Sequence, residues 1–126
     1  MEALIIDDNP LNADVLVLLL QQQGIHPVAL SEPNELESVM ATVTPSVIFL
    51  DLEFPRTTGF DALKIIQADE RLHDVPVVAY TVHISEVDTA RTAGFHSFLG
   101  KPLSAQKFPA QLKRILAGEQ VWDPYQ

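Results

Sequence analysis

Acidic, hydroxyl and amine side chains follow four of the apolar runs of this sequence. Asp7 and Asp8 follow the first run, Asp51 the third, Thr81 the fourth and Lys101 the fifth. Because the carboxyl ends of parallel strands meet along one edge of a sheet, these distant residues are expected to lie together. Three converging carboxylates would repel one another and have raised pKa values unless a cation shared them. A small set of oxygen ligands favours magnesium over calcium, so the pattern predicts a Mg2+ site with an amine beside it.

Each of these residues also has an ordinary structural explanation when it is taken alone. The pair Asp7 and Asp8 precedes Asn9 and could simply cap the first helix. An aspartate after a buried strand, a threonine in a strand and a Lys-Pro pair in a loop are all common. Their joint placement at successive strand ends is harder to obtain from capping and solvation alone, and this favours a functional site.

The elements that must position these residues follow from the apolar pattern. Short β-branched runs alternate with segments of helical periodicity, which predicts an α/β fold with a doubly wound parallel sheet and helices on both faces. Five strands are predicted at about residues 3–6, 26–30, 47–50, 75–80 and 95–99. Five helices are predicted from residue 11 to Gly24, and at about residues 31–43, 60–68, 85–93 and 104–117.

The topology and the domain boundary follow from these elements. Pro27 cannot donate to a central ladder, so its strand is placed at the edge and the strand order is predicted as 2-1-3-4-5. In the first helix, Leu11, Val15, Leu18 and Leu19 are predicted to face the core. Residues 1–117 form the predicted domain. The segment 118–126, which contains Trp122 and Tyr125, is predicted to be a frayed or docked tail.

Composition limits the classes of protein to which the chain can belong. Its 126 residues suit one domain, and 47% hydrophobic residues are enough for a folded core. The formal charge of −9 and the scattered basic residues disfavour nucleic-acid binding. No apolar run approaches a membrane span, the start lacks the basic flank of a signal peptide, and cysteine is absent. A cytoplasmic protein without membrane contact is expected.

The sequence resembles a known family, the response-regulator receiver domains of two-component signalling. The resemblance spans residues 3–117 and is strongest in single-domain regulators and in the receivers of hybrid kinases. It is carried by Asp7-Asp8-Asn9, by Asp51 within the run 49–55 with Gly59 beyond it, by Thr81 after residues 77–80, and by Phe98-Leu99-Gly100-Lys101-Pro102.

The resemblance implies roles for the residues of the predicted site. Asp51 would accept a phosphoryl group from a sensor histidine kinase or a histidine phosphotransfer protein, and would later lose it to water. Asp7, Asp8, Asp51 and the backbone carbonyl of Glu53 would hold Mg2+. Lys101 would neutralise the phosphoryl oxygens, since such transfers depend on alignment and charge compensation. The chain would catalyse only its own phosphorylation and dephosphorylation.

The resemblance also implies a conformational switch. Thr81 would donate a hydrogen bond to the phosphoryl group and draw its loop inward. Phe98 would then turn inward and alter the face formed by the fourth helix, fifth strand and fifth helix, where a downstream protein would bind. A plain core role for Phe98 is compatible with this. The implied state is a monomer or a weak dimer, and the Lys101-Pro102 bond is typically cis in the family, although the sequence permits either isomer.

Three residues depart from the family pattern or line the predicted route of the attacking water. Val82 follows the threonine where relatives have a smaller residue, and it is predicted to narrow access and slow loss of the phosphoryl group. Glu53 and His83 could orient the attacking water or block it, although a solvated loop histidine is the simpler interpretation of His83.

Three alternatives remain at this stage. A degenerate receiver that acts only as a protein-binding module would share the fold. A dehalogenase-type phosphohydrolase also uses an aspartate nucleophile and magnesium, but it would need aspartate where Glu53 stands. A flavodoxin-like cofactor carrier should offer hydroxyls and amides to a phosphate in its first loop, where Asp7 and Asp8 would repel it.

Overall fold

Six parallel strands form the centre of the molecule in the computed structural model, which describes residues 1–125. The strands are β1 (Glu2–Ile6), β2 (His26–Leu30), β3 (Pro45–Leu50), β4 (Val77–Thr81), β5 (Ser97–Gly100) and β6 (Trp122–Asp123). The helices are α1 (Pro10–Gln22), α2 (Leu36–Val39), α3 (Gly59–Gln67), α4 (Val87–Ala93) and α5 (Phe108–Leu116). Single 3-10 turns lie at Pro33–Glu35, Glu70–Leu72 and Ile84–Glu86.

The strand order is β2-β1-β3-β4-β5-β6, and neighbouring strands are parallel. The predicted α/β class and the order of the first five strands are therefore confirmed, with Pro27 in an edge strand. The predicted count of five is wrong, because β6 pairs with the outer side of β5. The segment after α5 is thus docked over residues 121–124, whereas Tyr125 is 76% exposed, and Gln126 lies outside the described residues. The domain boundary at residue 117 stays a prediction.

Two apolar layers cover the faces of the sheet, as alternation along buried strands requires. One layer joins Leu4 and Ile6 of β1 to residues of α2, α3 and α4. The other joins Ala3 and Ile5 to residues of α1 and α5. Every second strand residue thus faces α1 and α5. The same alternation continues into the residues that directly follow the strands.

The buried face of α1 differs from the predicted one. Ala13, Leu16, Leu19 and Leu20 are buried, whereas Leu11, Val15 and Leu18 are 75%, 51% and 56% exposed. Apolar residues surround most of this helix, so periodicity alone could not select the face. The structure therefore corrects three of the four predicted core positions and leaves an apolar stripe on the surface of α1.

The second helix is also shorter than predicted. Only Leu36–Val39 is α-helical after the turn at Pro33–Glu35. The Ser31 hydroxyl does not cap this helix and instead donates to Glu35 Oε1 at 2.9 Å. The last helix begins at Phe108 instead of near residue 104, because Pro109 lacks the amide that an interior position needs. Among residues 1–125, no helix has the length and apolar character to cross a membrane.

Candidate functional site

The predicted site residues converge at the carboxyl ends of the central strands. Asp7 and Asp8 follow β1, Asp51 follows β3 and Lys101 follows β5, and they meet at one edge of the sheet. One oxygen of each of the three aspartates lies within 4.8 Å of the others. A cleft of about 620 Å³ opens beside them, with Asp8, Asp51 and Lys101 in its lining.

A buried chain of charges joins two of the aspartates through Lys101. The ammonium donates to Asp7 Oδ2 at 2.8 Å and to Asp51 Oδ2 at 3.2 Å. The side chains are 0% exposed for Asp7, 6% for Lys101 and 12% for Asp51. Such charges are stable away from water only when they are paired and hydrogen-bonded. The lysine therefore compensates both carboxylates.

Asn9, and not the aspartate pair, caps α1. Its side-chain oxygen accepts from the amides of Leu11 and Asn12 at 3.0 and 3.2 Å. Asp7 Oδ1 accepts from the Asn9 amide at 2.9 Å, and this contact fixes the carboxylate at the end of β1. Since Asn9 satisfies the helix terminus, the capping alternative does not account for Asp7 and Asp8.

Burial and charge shift the two inner carboxyl groups in opposite directions. Burial raises the pKa of Asp51, and the negative charge of Asp7 adds to this effect, so the pKa stays above its ordinary value despite Lys101. Burial would also raise the pKa of Asp7, but hydrogen bonds from Lys101, the Asn9 amide and Tyr80 outweigh it and lower the pKa. The charge of one carboxylate therefore contributes to the raised pKa of Asp51, whereas the donors around Asp7 lower the pKa of that carboxyl group.

The donor set fits a hard divalent cation. Three carboxylates bring oxygen atoms close together, and Asp8 is exposed and open to the cleft. Oxygen ligands of this kind, completed by water, suit magnesium. The residues present therefore match the cofactor that the sequence implies.

The loop after β3 holds the Asp51 carboxylate in place. Asp51 Oδ1 accepts from the Leu52 amide at 2.7 Å. Gly59 donates to the Leu52 carbonyl at 2.8 Å, and a Cβ at Gly59 would overlap the backbone oxygen of Asp51. A bridge between Glu53 and Thr58 closes the loop. The glycine is thus required by the close approach of α3 to the residue at the centre of the site.

Four further predicted residues lie in or next to the lining of the cleft. His83 Nε2 lies 2.9 Å from Glu53 Oε2, so an ion pair spans the two loops when the histidine is protonated. Val82 also lines the cleft, and it is 61% exposed. Thr81 is fully buried, and its hydroxyl oxygen accepts from the His83 amide at 3.1 Å.

Phe98 lies on the other side of β5 from the cleft. It is fully buried among residues of the layer formed by α2, α3 and α4. Its ring therefore already lies inside the core. The bond between Lys101 and Pro102 is cis.

Sequence reasoning missed Tyr80 as a residue of the site. Its hydroxyl donates to Asp7 Oδ2 at 2.7 Å, and Lys101 Nζ lies 4.3 Å from the centre of its ring. Burial raises the pKa of the Tyr80 hydroxyl far above its ordinary value, and the charge of Asp7 raises it further. Strand alternation could have revealed the contact, because it places Tyr80 on the same face of the sheet as Asp7, Asp51 and Lys101.

A larger cavity of about 730 Å³ lies away from these carboxylates. Its lining includes His73, His96, Arg91 and Trp122, and none of the three clustered aspartates. The cluster of three carboxylates therefore belongs to the smaller cleft.

Comparisons with known proteins agree with this geometry. A family model described as the response regulator receiver domain matches residues 3–113. The polar-differentiation response regulator DivK of Brucella ovis is 26% identical over 115 residues, which cover 90% of this chain and 94% of the relative.

Solved structures show the same fold. The receiver domain of a Pseudomonas aeruginosa sensor histidine kinase, which has a magnesium ion coordinated in its active-site cleft, aligns with a TM-score of 0.81 and 24% identity. The alignment covers 92% of this chain and 97% of that domain. The chemotaxis response regulator CheY4 of Vibrio cholerae aligns with a TM-score of 0.80 and 21% identity over 90% of this chain and 97% of its own. The chain described here belongs to the response regulator receiver domain family of two-component signalling.

Proposed function

We propose that this receiver accepts a phosphoryl group on Asp51 in a Mg2+-dependent reaction, and that the modified form presents a changed surface to a protein target. Receiver domains interact with histidine kinases and phosphotransfer proteins, and one of these is the proposed donor. The observation that carries the proposal is the position of the Asp51 carboxylate, which lies in the acidic cluster and 3.2 Å from the Lys101 ammonium.

The proposed transfer is a substitution at phosphorus. An Asp51 oxygen forms the new P–O bond, the P–N bond of a phosphohistidine breaks, and the electron pair returns to the departing imidazole. The Leu52 amide holds Oδ1, which fixes the orientation of the carboxylate during attack. Lys101 compensates the charge on the phosphoryl oxygens, as electrostatic stabilisation of this reaction requires.

Asp7, Asp8, Asp51 and the Glu53 backbone carbonyl are the proposed Mg2+ ligands. The magnesium ion of the Pseudomonas aeruginosa receiver and the cluster of three carboxylates support this assignment. When bound, the cation would neutralise negative charge shared by the carboxylates and the phosphoryl group.

Loss of the phosphoryl group requires water to reach the acyl phosphate. Glu53, Val82 and His83 line the cleft, and His83 Nε2 lies 2.9 Å from Glu53 Oε2. We infer that these three side chains restrict the approach of water and lengthen the lifetime of the phosphorylated form.

The proposed switch starts at Thr81. Its buried hydroxyl, next to the His83 amide, could rotate to donate to a phosphoryl oxygen and move the loop before α4. The Phe98 ring is already internal, so the response would be transmitted through repacking around it. The sequence placed the target face at α4, β5 and α5. Because β6 covers the outer side of β5, whose residues are all buried, the proposed target face is formed by α4, α5 and β6.

Phosphorylation of the purified chain by a small phosphodonor tests this function. With Mg2+, intact mass should increase by one phosphoryl group, and Asp51→Asn should abolish the increase. Asp61→Asn, which changes an exposed carboxylate on α3, is the matched control and should be modified normally.

Two other results would contradict the proposal. An unmodified wild-type chain that still binds a protein target would support a degenerate receiver. Continuous release of phosphate from many monoesters would support a phosphohydrolase.

A further inference from the structure

Tyr80 places a buried hydroxyl against the acidic site without a role in the transfer proposed above. It is the penultimate residue of β4 and is 1% exposed. Its hydroxyl reaches Asp7 Oδ2 at 2.7 Å. The ring accounts for the packing at this core position, so the hydroxyl needs a separate explanation.

The ring and the hydroxyl of Tyr80 contact different charged groups. The ring packs edge-on against Phe49 with centroids 6.2 Å apart, and its face lies 4.3 Å from Lys101 Nζ. The hydroxyl contacts the Asp7 carboxylate. One side chain therefore supports both the ammonium and the innermost carboxylate of the site, through an interaction between a cation and an aromatic ring and through a hydrogen bond.

Asp7 Oδ2 has two donors, and one of them is shared. Lys101 donates to it at 2.8 Å and also reaches Asp51 at 3.2 Å. When a phosphoryl group arrives on Asp51, Lys101 must turn toward it to compensate the new charge. A carboxylate with a fully buried side chain would then lose a donor, and the Tyr80 hydroxyl is the donor that stays on the same oxygen.

We propose that Tyr80 is a positioning residue whose hydroxyl holds the Asp7 carboxylate in its ligand orientation and allows Lys101 to be shared with Asp51. This inference rests on the proposed phosphoryl-acceptor function and deepens it. Without the hydroxyl, Asp7 retains Lys101 more tightly, and the ammonium then competes with the cation for Asp7 and is less available to the phosphoryl group. Partners that orient metal ligands in this way commonly change metal affinity by about 10-fold to 100-fold.

Tyr80→Phe tests the hydroxyl alone, because phenylalanine keeps both contacts of the ring. Calorimetric titration of the unphosphorylated protein with Mg2+ should give a Kd about tenfold higher than that of the wild type. The rate of Asp51 phosphorylation by a small phosphodonor should also fall about tenfold at saturating Mg2+.

Ser97→Ala is the matched control, since it removes another fully buried hydroxyl at the amino end of β5. That hydroxyl accepts from the Val121 amide at 3.0 Å and lies away from the cleft. The control should lower the thermal midpoint as Tyr80→Phe does, while its Mg2+ Kd and phosphorylation rate stay within twofold of the wild type.

The outcomes separate this inference from the function on which it rests. If the wild type is phosphorylated and Tyr80→Phe changes only the thermal midpoint, the positioning role is wrong and the acceptor function stands. If the wild type binds Mg2+ but accepts no phosphoryl group, the acceptor function is wrong, and a raised Kd in Tyr80→Phe would still support the action of Tyr80 on Asp7.

Discussion

The acidic cleft and the outer edge of the sheet at β5 and β6 are held together in different ways. In the cleft, charged side chains from three strand ends contact one another, as Lys101 does with Asp7 and Asp51. At the edge, the Phe98 amide donates to the Val121 carbonyl at 2.8 Å, so backbone groups carry the contact. Side-chain chemistry leaves a readable pattern in a sequence, whereas backbone pairing leaves almost none.

The edge is nevertheless anchored to several elements. Val121 is 1% exposed and packs in the layer of α1 and α5. The Arg91 guanidinium of α4 lies 4.7 Å from the centre of the Trp122 ring, and Gln111 of α5 donates to Asp123 at 2.9 Å. The cleft therefore brings a few charged side chains into direct contact, while the β5–β6 edge is held by separate contacts with α1, α4 and α5. The following substitutions test this difference.

Replacement of Lys101 by methionine should have the largest effect. It leaves Asp7 with a fully buried side chain and without its ammonium partner, and should lower the free energy of unfolding by about 3 kcal/mol in a chelator at pH 7. Urea unfolding measures this loss. Arg114→Met, which breaks an exposed pair with Glu119, is the control and should change stability by less than about 0.5 kcal/mol. Equal losses would contradict the distinction between buried and surface charges.

Gly100→Ala should have the next largest effect, and it acts at the edge. A Cβ there would overlap the carbonyl oxygen of Pro124 and press on Ile84, so β6 must shift at a loss of about 2 kcal/mol. Trp122 is the only tryptophan of the chain, so its fluorescence reports the shift directly. In a chain shortened to residue 119, the same substitution should change stability much less. If Gly100→Ala lowers the stability of the shortened chain as much as that of the full chain, the contact with Ile84 alone causes the strain.

Asp51→Asn should raise stability modestly. The pKa of Asp51 is higher in the folded protein than in the unfolded chain. Between these two pKa values the folded protein keeps a proton that the unfolded chain has released. The free energy of unfolding therefore falls as the pH rises from the unfolded pKa through the folded pKa. Asparagine has no charge to desolvate, so we expect a gain on the order of 1 kcal/mol at pH 7 that disappears below the unfolded pKa. Thermal unfolding with a chelator at several pH values measures it. A gain independent of pH would contradict the electrostatic cause.

Val82→Ala should have the smallest effect. Removal of two methyl groups at the rim of the cleft should speed loss of the phosphoryl group about threefold, equivalent to about 0.6 kcal/mol in the barrier. Decay of the purified phosphoprotein, followed by intact mass, measures the rate. Val87→Ala, a change of the same size in α4, should leave the rate unchanged. An unchanged or slower decay in Val82→Ala would disprove steric restriction at this position.

The sequence predicted the arrangement of the cleft because chemistry restricts which residues can occupy it. Asp7, Asp8, Asp51 and Lys101 follow predicted strands, and the sheet brings them together as expected. Tyr80 escaped notice because a tyrosine in a buried strand resembles any other core aromatic. The contact between its hydroxyl and Asp7 becomes evident only when Tyr80 in β4 and Asp7 after β1 are assigned to the same face of the sheet.

Other errors came from segments whose pattern fits more than one structure. In α1, leucine and valine occupy nearly every side of the helix, so the predicted face was rotated relative to the observed one. Trp122–Asp123 is too short for alternation to be recognised. Its docking depends on Gly100, where the absence of a side chain allows the backbone of residue 124 to approach.

The two outer strands of the sheet have a consequence for how other proteins can attach. At one end, β2 contains Pro27, which has no amide to offer to an incoming strand. At the other end, β6 has two residues and is followed by Pro124. Neither border is a good template for extending the hydrogen-bond ladder into another polypeptide, which protects the molecule against edge-to-edge aggregation. These two borders therefore favour recognition through side chains over recognition by strand addition.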